Sequence, residues 1–133
     1  MMLQGVSSGG GGTEQILVRV GTSAGINTSS IYSWNVSYIN LGESAQTGTY
    51  WRLAHTNFNN NANVYDGIIQ VVKLGTTGNK WVFSAQLGMP VGGQIQNSAG
   101  SIDLGSGVLD RIQLLHGSAN NYDAGTVNIM YES

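Results

Sequence analysis

The sequence predicts an all-β protein, an antiparallel β-sandwich or jelly roll of about eight or nine strands. Three observations support this prediction. Apolar and polar residues alternate with a period of two in several short runs, as in strands with one buried face. Turn-forming residues separate these runs, with 20 glycines among 133 residues. No run carries the apolar period of a helix. The length is that of one domain, which we place at residues 13–133, behind an N-terminal arm of residues 1–12.

The predicted arm begins with a short apolar tip and continues into a Ser/Gly segment that ends in four consecutive glycines. This composition is typical of a flexible tail. The apolar tip favours the alternative that the segment lies on a neighbouring subunit. The candidate partner-contact residues are then Met1, Met2, Leu3 and Val6.

Nine runs have the alternation or the apolar content of strands. In order they are residues 14–20, 31–40, 49–54, 66–74, 80–87, 94–96, 101–104, 109–116 and 126–131. The alternation is clearest in residues 31–40, where one face is aromatic and is expected to point inward. That face consists of Tyr32, Trp34, Val36 and Tyr38.

Residues 66–74 are apolar at most positions, which predicts a strand buried on both faces. The following Gly-Thr-Thr-Gly-Asn sequence predicts a hairpin turn to residues 80–87. The residues expected to face inward in that second strand are Trp81, Phe83, Ala85 and Leu87.

The last two runs predict a hairpin that closes the core. Residues 109–116 and 126–131 are joined by a polar loop. In the second of them Val127, Ile129 and Tyr131 share one face, which we expect to be buried inside a sheet.

Charge is sparse, since charged residues make up 9% of the chain, against about a quarter in an average domain. The net charge of −2 provides no basic surface for nucleic acid and no polybasic patch for a membrane. The chain has no cysteine, which excludes disulfides and thiolate metal sites. We therefore predict neither nucleic acid nor membrane as a partner, and no cofactor.

The groups that could perform chemistry are isolated in the sequence. His55 and His116 have no second ligand at metal-binding spacing, so no metal site is predicted. The carboxylates stand singly, and there is no Gly-x-Ser-x-Gly sequence, so no enzyme is predicted. Two alternatives remain open: calcium bound by Asp and Asn side chains of the loops at 57–66 and 120–123, and a hydrolase whose acid and base meet only in space.

Aromatic and Asn-rich loops could stack on a sugar and form hydrogen bonds with it, although such loops also serve as solvated connections. The candidate recognition residues are Phe58, Asn60, Tyr65, Asn121 and Tyr122.

Residues 109–132, LDRIQLLHGSANNYDAGTVNIMYE, resemble the C-terminal strand pair of small β-sandwich domains in virion proteins of tailed bacteriophages. Residues 65–88 resemble the hairpin that precedes this pair, so the resemblance covers about half of the chain. The positions that carry the C-terminal resemblance form a packing pattern and not a catalytic signature. They are Asp110, Arg111, Ile112, Leu114, Gly125, Thr126, Val127, Ile129 and Tyr131.

Such domains occur as capsid decoration (cement) proteins, head fibres and tail-fibre tips. Because no fibre shaft precedes the domain in this sequence, the resemblance implies a capsid decoration protein of the virion, assembled in the bacterial host cytoplasm. It implies the major capsid protein or neighbouring copies as partners, and a homo-oligomer, with a trimer favoured. The alternative is a receptor-binding tail-fibre module that recognises a glycan on the host surface.

Overall fold

The computed structural model describes residues 1–9, 15–38, 41–42, 45–54, 63–89, 93–117 and 121–132. These residues form twelve strands joined by turns and irregular segments, with no helix among them. In chain order the strands are β1 (Met2–Ser8), β2 (Ile16–Thr22), β3 (Gly25–Ile26), β4 (Tyr32–Tyr38), β5 (Leu41–Gly42), β6 (Gln46–Gly48), β7 (Trp51–Arg52), β8 (Tyr65–Lys73), β9 (Lys80–Met89), β10 (Gln94–Asp103), β11 (Arg111–His116) and β12 (Tyr122–Asn128).

The strands form two antiparallel sheets that share one hydrophobic core. The large sheet has the order β12-β1-β8-β9-β10-β4-β5, and β6 also pairs with β4. The small sheet has the order β11-β2-β3, and β7 also pairs with β2. This architecture confirms the predicted all-β antiparallel sandwich, while the jelly-roll connectivity stays a prediction.

An aromatic cluster joins the two sheets at the centre of the core. Trp51 belongs to the small sheet, and its ring stacks on Phe83 of the large sheet with 4.5 Å between centroids. Tyr32, also from the large sheet, meets the same indole edge-on at 5.5 Å. The Trp51 indole N–H donates to the carbonyl of Ser101 at 3.2 Å, so its one polar atom is satisfied inside the core.

Period-two alternation correctly predicts the inward faces of β4 and β9. In β4, Tyr32, Trp34 and Val36 are buried, as predicted; the side chain of Tyr38 lies outside the described residues. The predicted inward residues of β9 are Phe83, Ala85 and Leu87, which are buried, and Trp81, which is partly buried. The hairpin between β8 and β9 is also confirmed by their antiparallel pairing.

The prediction that β8 is buried on both faces is wrong. Ile69 is buried in the core, whereas Ile68 and Val72 are exposed on the opposite face of the sheet. The small sheet covers only one face of the large one, so an apolar side chain on the other face reaches solvent.

Residues 94–96 and 101–104 were predicted as two short strands, but residues 94–103 form one continuous strand, β10, which pairs with β9 over its whole length. The sequence hides this continuity because the inward positions Gln96, Ser98 and Gly100 are polar or small. Gly100 has a steric role, since a Cβ there would overlap the backbone of β4 and the Phe83 ring.

The prediction of an N-terminal arm is wrong for residues 1–9. Strand β1 lies inside the large sheet, between β12 and β8. Leu3 and Val6 are buried in the chain's own core, and the amino group of Met1 donates to the carbonyl of Ile69 at 2.8 Å. The apolar tip therefore packs within its own subunit, and only Met2 keeps substantial exposure. Residues 10–12 lie outside the described residues.

The predicted closing hairpin is also wrong. Strand β11 pairs with β2 in the small sheet, whereas β12 pairs with β1 in the large sheet. The chain crosses from one sheet to the other between them. Val127, Ile129 and Tyr131, expected to be buried, are exposed. Val127 lies in an edge strand and not an internal one, and Ile129 and Tyr131 lie beyond the end of β12.

Candidate functional site

Three of the five predicted recognition residues lie in the described part of the chain, and they have different surroundings. Phe58 and Asn60 lie outside the described residues. Tyr65 is a buried core residue at the start of β8, so it is not available to a ligand. Asn121 is exposed, and its carbonyl accepts a hydrogen bond from the Gly9 backbone N–H at 3.3 Å.

Tyr122 has a structural position at the point where the chain changes sheets. Its hydroxyl donates to the carbonyl of Leu115 at 2.8 Å. Its ring meets the imidazole of His116 edge-on, with 5.7 Å between centroids. Both contacts hold the start of β12 against the end of β11, so this side chain takes part in the packing of the fold.

Two of the described carboxylates accept backbone hydrogen bonds within the fold. The Asp66 carboxylate accepts from the Gly5 backbone N–H at 2.6 Å, which fixes β1 on β8. Asp103 accepts from the Gly105 N–H at 2.9 Å, in the turn that follows β10. Among the described residues no group of three or more His, Asp or Glu side chains comes close enough to hold a metal ion. The described part of the chain contains no helix long and apolar enough to cross a membrane.

The first candidate surface is the outward face of the large sheet, which we call the polar face. The exposed side chains around its central depression come from β4, β8, β9 and β10, and they are mainly amides and hydroxyls. They are Asn35, Ser37, Ile68, Gln70, Ser84, Gln86, Asn97 and Ala99.

Strand register places the side chains of the polar face in rows across the sheet. Gln70 lies opposite Ser84, which lies opposite Ala99 and then Asn35. The rows line a depression of about 460 Å³, within the range of roughly 300–1,000 Å³ that is typical of ligand sites. Its lining contains no ionisable side chain, so it offers hydrogen bonds to a neutral ligand rather than a charge pair.

The second candidate surface is the C-terminal edge, by which we mean β12 together with residues 129–131. Four apolar side chains here are exposed: Val127 (41%), Ile129 (55%), Met130 (75%) and Tyr131 (89%). Val127 lies opposite Leu3 in the β1–β12 pair, and Leu3 is only 3% exposed. Val127 thus follows the side of the sheet that faces the core, at the sheet's edge, where little protein covers it.

The sequence carried signals for both surfaces that the alternation argument left unused. Ser and Asn at positions 33, 35 and 37, and Ser and Gln at 84 and 86, mark the outward positions of two strands. The apolar pattern of residues 126–131 is compatible with either kind of strand, because alternation does not distinguish an internal strand from an edge strand.

Comparison of the chain with protein-family models, with curated proteins and with solved structures gives no match.

Proposed function

We propose that this chain is a structural protein of a bacteriophage virion, a capsid decoration protein that stabilises the head by burying surface rather than by catalysis. The observation that carries the proposal is the C-terminal edge. It places the exposed apolar side chains of Val127, Ile129, Met130 and Tyr131 along one border of the sandwich. Contiguous exposed apolar surface is typical of interaction sites.

Two further features support this role. The fold is the sandwich that the resemblance to phage virion domains implies. Charged residues are rare, at 9%, so contact with a neighbour requires the desolvation of few ionised groups.

The mechanism is linkage between binding and assembly. A protein that binds the assembled shell but not its separated subunits stabilises the shell by RT ln(1 + [L]/Kd). A specific contact of ordinary size buries about 800 Å² on each partner. That is about a ninth of the 7204 Å² of surface that this chain exposes.

The number of copies of this protein in purified phage particles tests whether it lies on the head. We expect quantitative mass spectrometry to find many copies per particle, all in the head fraction. A few copies confined to the tail fraction, or none, would overturn the decoration role.

Head stability tests the mechanism. We expect the added protein to raise the temperature at which heads that lack it release their DNA, in a saturable way. Met130→Asp should weaken this effect at least tenfold in concentration. Val108→Asp is the matched control, because Val108 is equally exposed, at 76%, but lies between β10 and β11. Equal effects of the two variants would refute a role for the C-terminal edge.

Recognition of a host-surface glycan is the second candidate function, and the polar face favours it. Neutral amides and hydroxyls around a depression match the hydrogen-bonding groups of a neutral sugar. A glycan array with the isolated chain tests this function. Binding should be lost in Gln86→Ala and kept in Gln113→Ala, which removes an exposed glutamine from the small sheet. A blank array, or equal binding by both variants, counts against it.

A further inference from the structure

Strand β12 is an edge strand without the usual protection against pairing. Among the described strands it pairs only with β1, so its other side presents backbone N–H and C=O groups. Natural edge strands are commonly protected by lysine, proline or inward-pointing charge. Residues 122–131 contain no lysine and no proline, and the one ionisable group with a formal charge at pH 7 is Asp123. That carboxylate accepts a hydrogen bond from the Ser7 hydroxyl at 2.7 Å.

The regular half of β12 is its C-terminal half. The pairing with β1 shifts register between Gln4 and Ser8, opposite residues 122–126. From Thr126 to Asn128 the pairs follow one another without interruption. A further strand would therefore add most easily at residues 126–128 and at the exposed residues that follow.

We propose that the C-terminal edge binds the same edge of a second copy of this chain, with the two β12 strands antiparallel about a two-fold axis at Asn128. The large sheets of the two copies then become one continuous sheet. This inference deepens the proposed function, on which its biological role rests, by naming the partner and the mode of pairing.

The sequence around Asn128 is complementary to itself in this register. Val127 of each chain lies opposite Ile129 of the other, which makes two apolar cross-strand pairs. An isologous contact needs such self-complementarity, because the same patch serves both partners.

Charge also favours a second copy as the occupant. Residues 126–131, where the two strands would face each other, contain no group that is charged at pH 7. No like charges therefore face each other within this segment. The net charge of −2 per chain is small, so long-range repulsion between copies is weak. A strongly charged partner would find no complementary group on residues 126–131.

Sedimentation velocity of the full chain tests for the pair. We expect a dimer of twice 14.0 kDa at micromolar concentration. Ile129→Lys should weaken the dimer at least tenfold, because an edge lysine blocks strand addition. Ile95→Lys is the matched control: Ile95 is similarly exposed (59%) and lies in β10 of the same sheet, away from the edge. An unchanged melting temperature would confirm that both variants fold.

Disulfide formation tests the register, because the chain has no cysteine of its own. Asn128→Cys should form a covalent dimer on mild oxidation, since directly opposed residues lie about 4.5–5.5 Å apart between Cα atoms, within the range a disulfide spans. Thr126→Cys, exposed on the same strand, should link slowly, because its two copies are not opposed.

A monomer at about 100 μM, a trimer, equal effects of the two lysine variants, or equally fast linkage of the two cysteine variants would overturn the pairing. These outcomes are separate from the test of the proposed function. If the protein forms the dimer in solution but is absent from phage heads, the pairing is supported and the decoration role is refuted.

Discussion

The hydroxyl of Tyr32 connects the two sheets, and its removal should measurably destabilise the fold. Tyr32 begins β4 of the large sheet and is fully buried. Its oxygen accepts from the Val20 backbone N–H of β2 at 3.1 Å. The hydroxyl proton has two acceptors within reach, the carbonyls of Val20 at 3.0 Å and of Asn27 at 2.9 Å. Tyr32→Phe removes all of these contacts while keeping the ring that packs on Trp51.

The expected magnitude follows from the group that is left behind. The Val20 N–H would remain in a site where the residue has no exposed surface, without its acceptor. A buried donor without a partner costs about 1–3 kcal/mol. The carbonyl of Val20 keeps a bond from the Asn27 N–H at 3.0 Å, so it adds little. We therefore expect a loss of about 2 kcal/mol in the free energy of unfolding and a melting temperature lower by roughly 5–10 °C.

Urea unfolding followed by circular dichroism measures this difference. Tyr131→Phe is the matched control, because it removes the same atom from a side chain that is 89% exposed. Its effect should stay within about 0.5 kcal/mol. If Tyr32→Phe also stays within that limit, the hydroxyl contacts do not connect the sheets energetically and the reasoning is refuted.

Three further predictions use the same unfolding assay. Burial raises the pKa of Tyr32 above its usual 10.0, so the stabilisation by its hydroxyl is complete below pH 10 and is lost as the pH rises towards the folded-state pKa. Above pH 10 the free energy of unfolding of the wild type should fall by up to about 1.4 kcal/mol per pH unit more than that of Tyr32→Phe. Parallel plots of unfolding free energy against pH for the two proteins would contradict this. Gly100→Ala should prevent folding or destabilise the protein severely, because the added Cβ would overlap the Ser33 carbonyl. Gly88→Ala is the control and should destabilise the protein only slightly, because no atom lies nearer than 3.8 Å to its added Cβ. Similar effects of the two variants would argue against the β10–β4 register. Trp51→Ala should cost about 3–5 kcal/mol, and a loss below about 1 kcal/mol would show that the indole is not central to the core.

The polar and apolar pattern along the chain was sufficient for the fold class and for much of the core. In β4 and β9 every second residue is large and apolar, and a strand with that pattern can bury only one face. Trp34, Val36, Phe83 and Leu87 were therefore predictable as core residues before any strand was paired. The β8–β9 hairpin was predictable for the same reason, because its turn is short and its contacts are local.

The polar face was predictable only in part. Its residues occupy the outward positions of strands that the sequence identifies, but their arrangement as one surface depends on the order β8-β9-β10-β4. The glycan hypothesis based on loop residues did not include this surface. Tyr65 and Tyr122 have Asn, Asp and Gly among their neighbours along the chain, so the sequence pattern predicts that they lie in loops.

By itself the sequence determined that the chain forms strands and which side of most strands is apolar. It also determined that no segment is rich in charged residues and that there is no thiol. Only the tertiary structure decided that residues 2–8 lie within the large sheet, that β11 and β12 belong to different sheets, and that β12 is an edge. The physical reason is that alternation is a property of one strand, whereas the choice of partner strand depends on contacts between residues far apart in the chain, such as Leu3 and Val127.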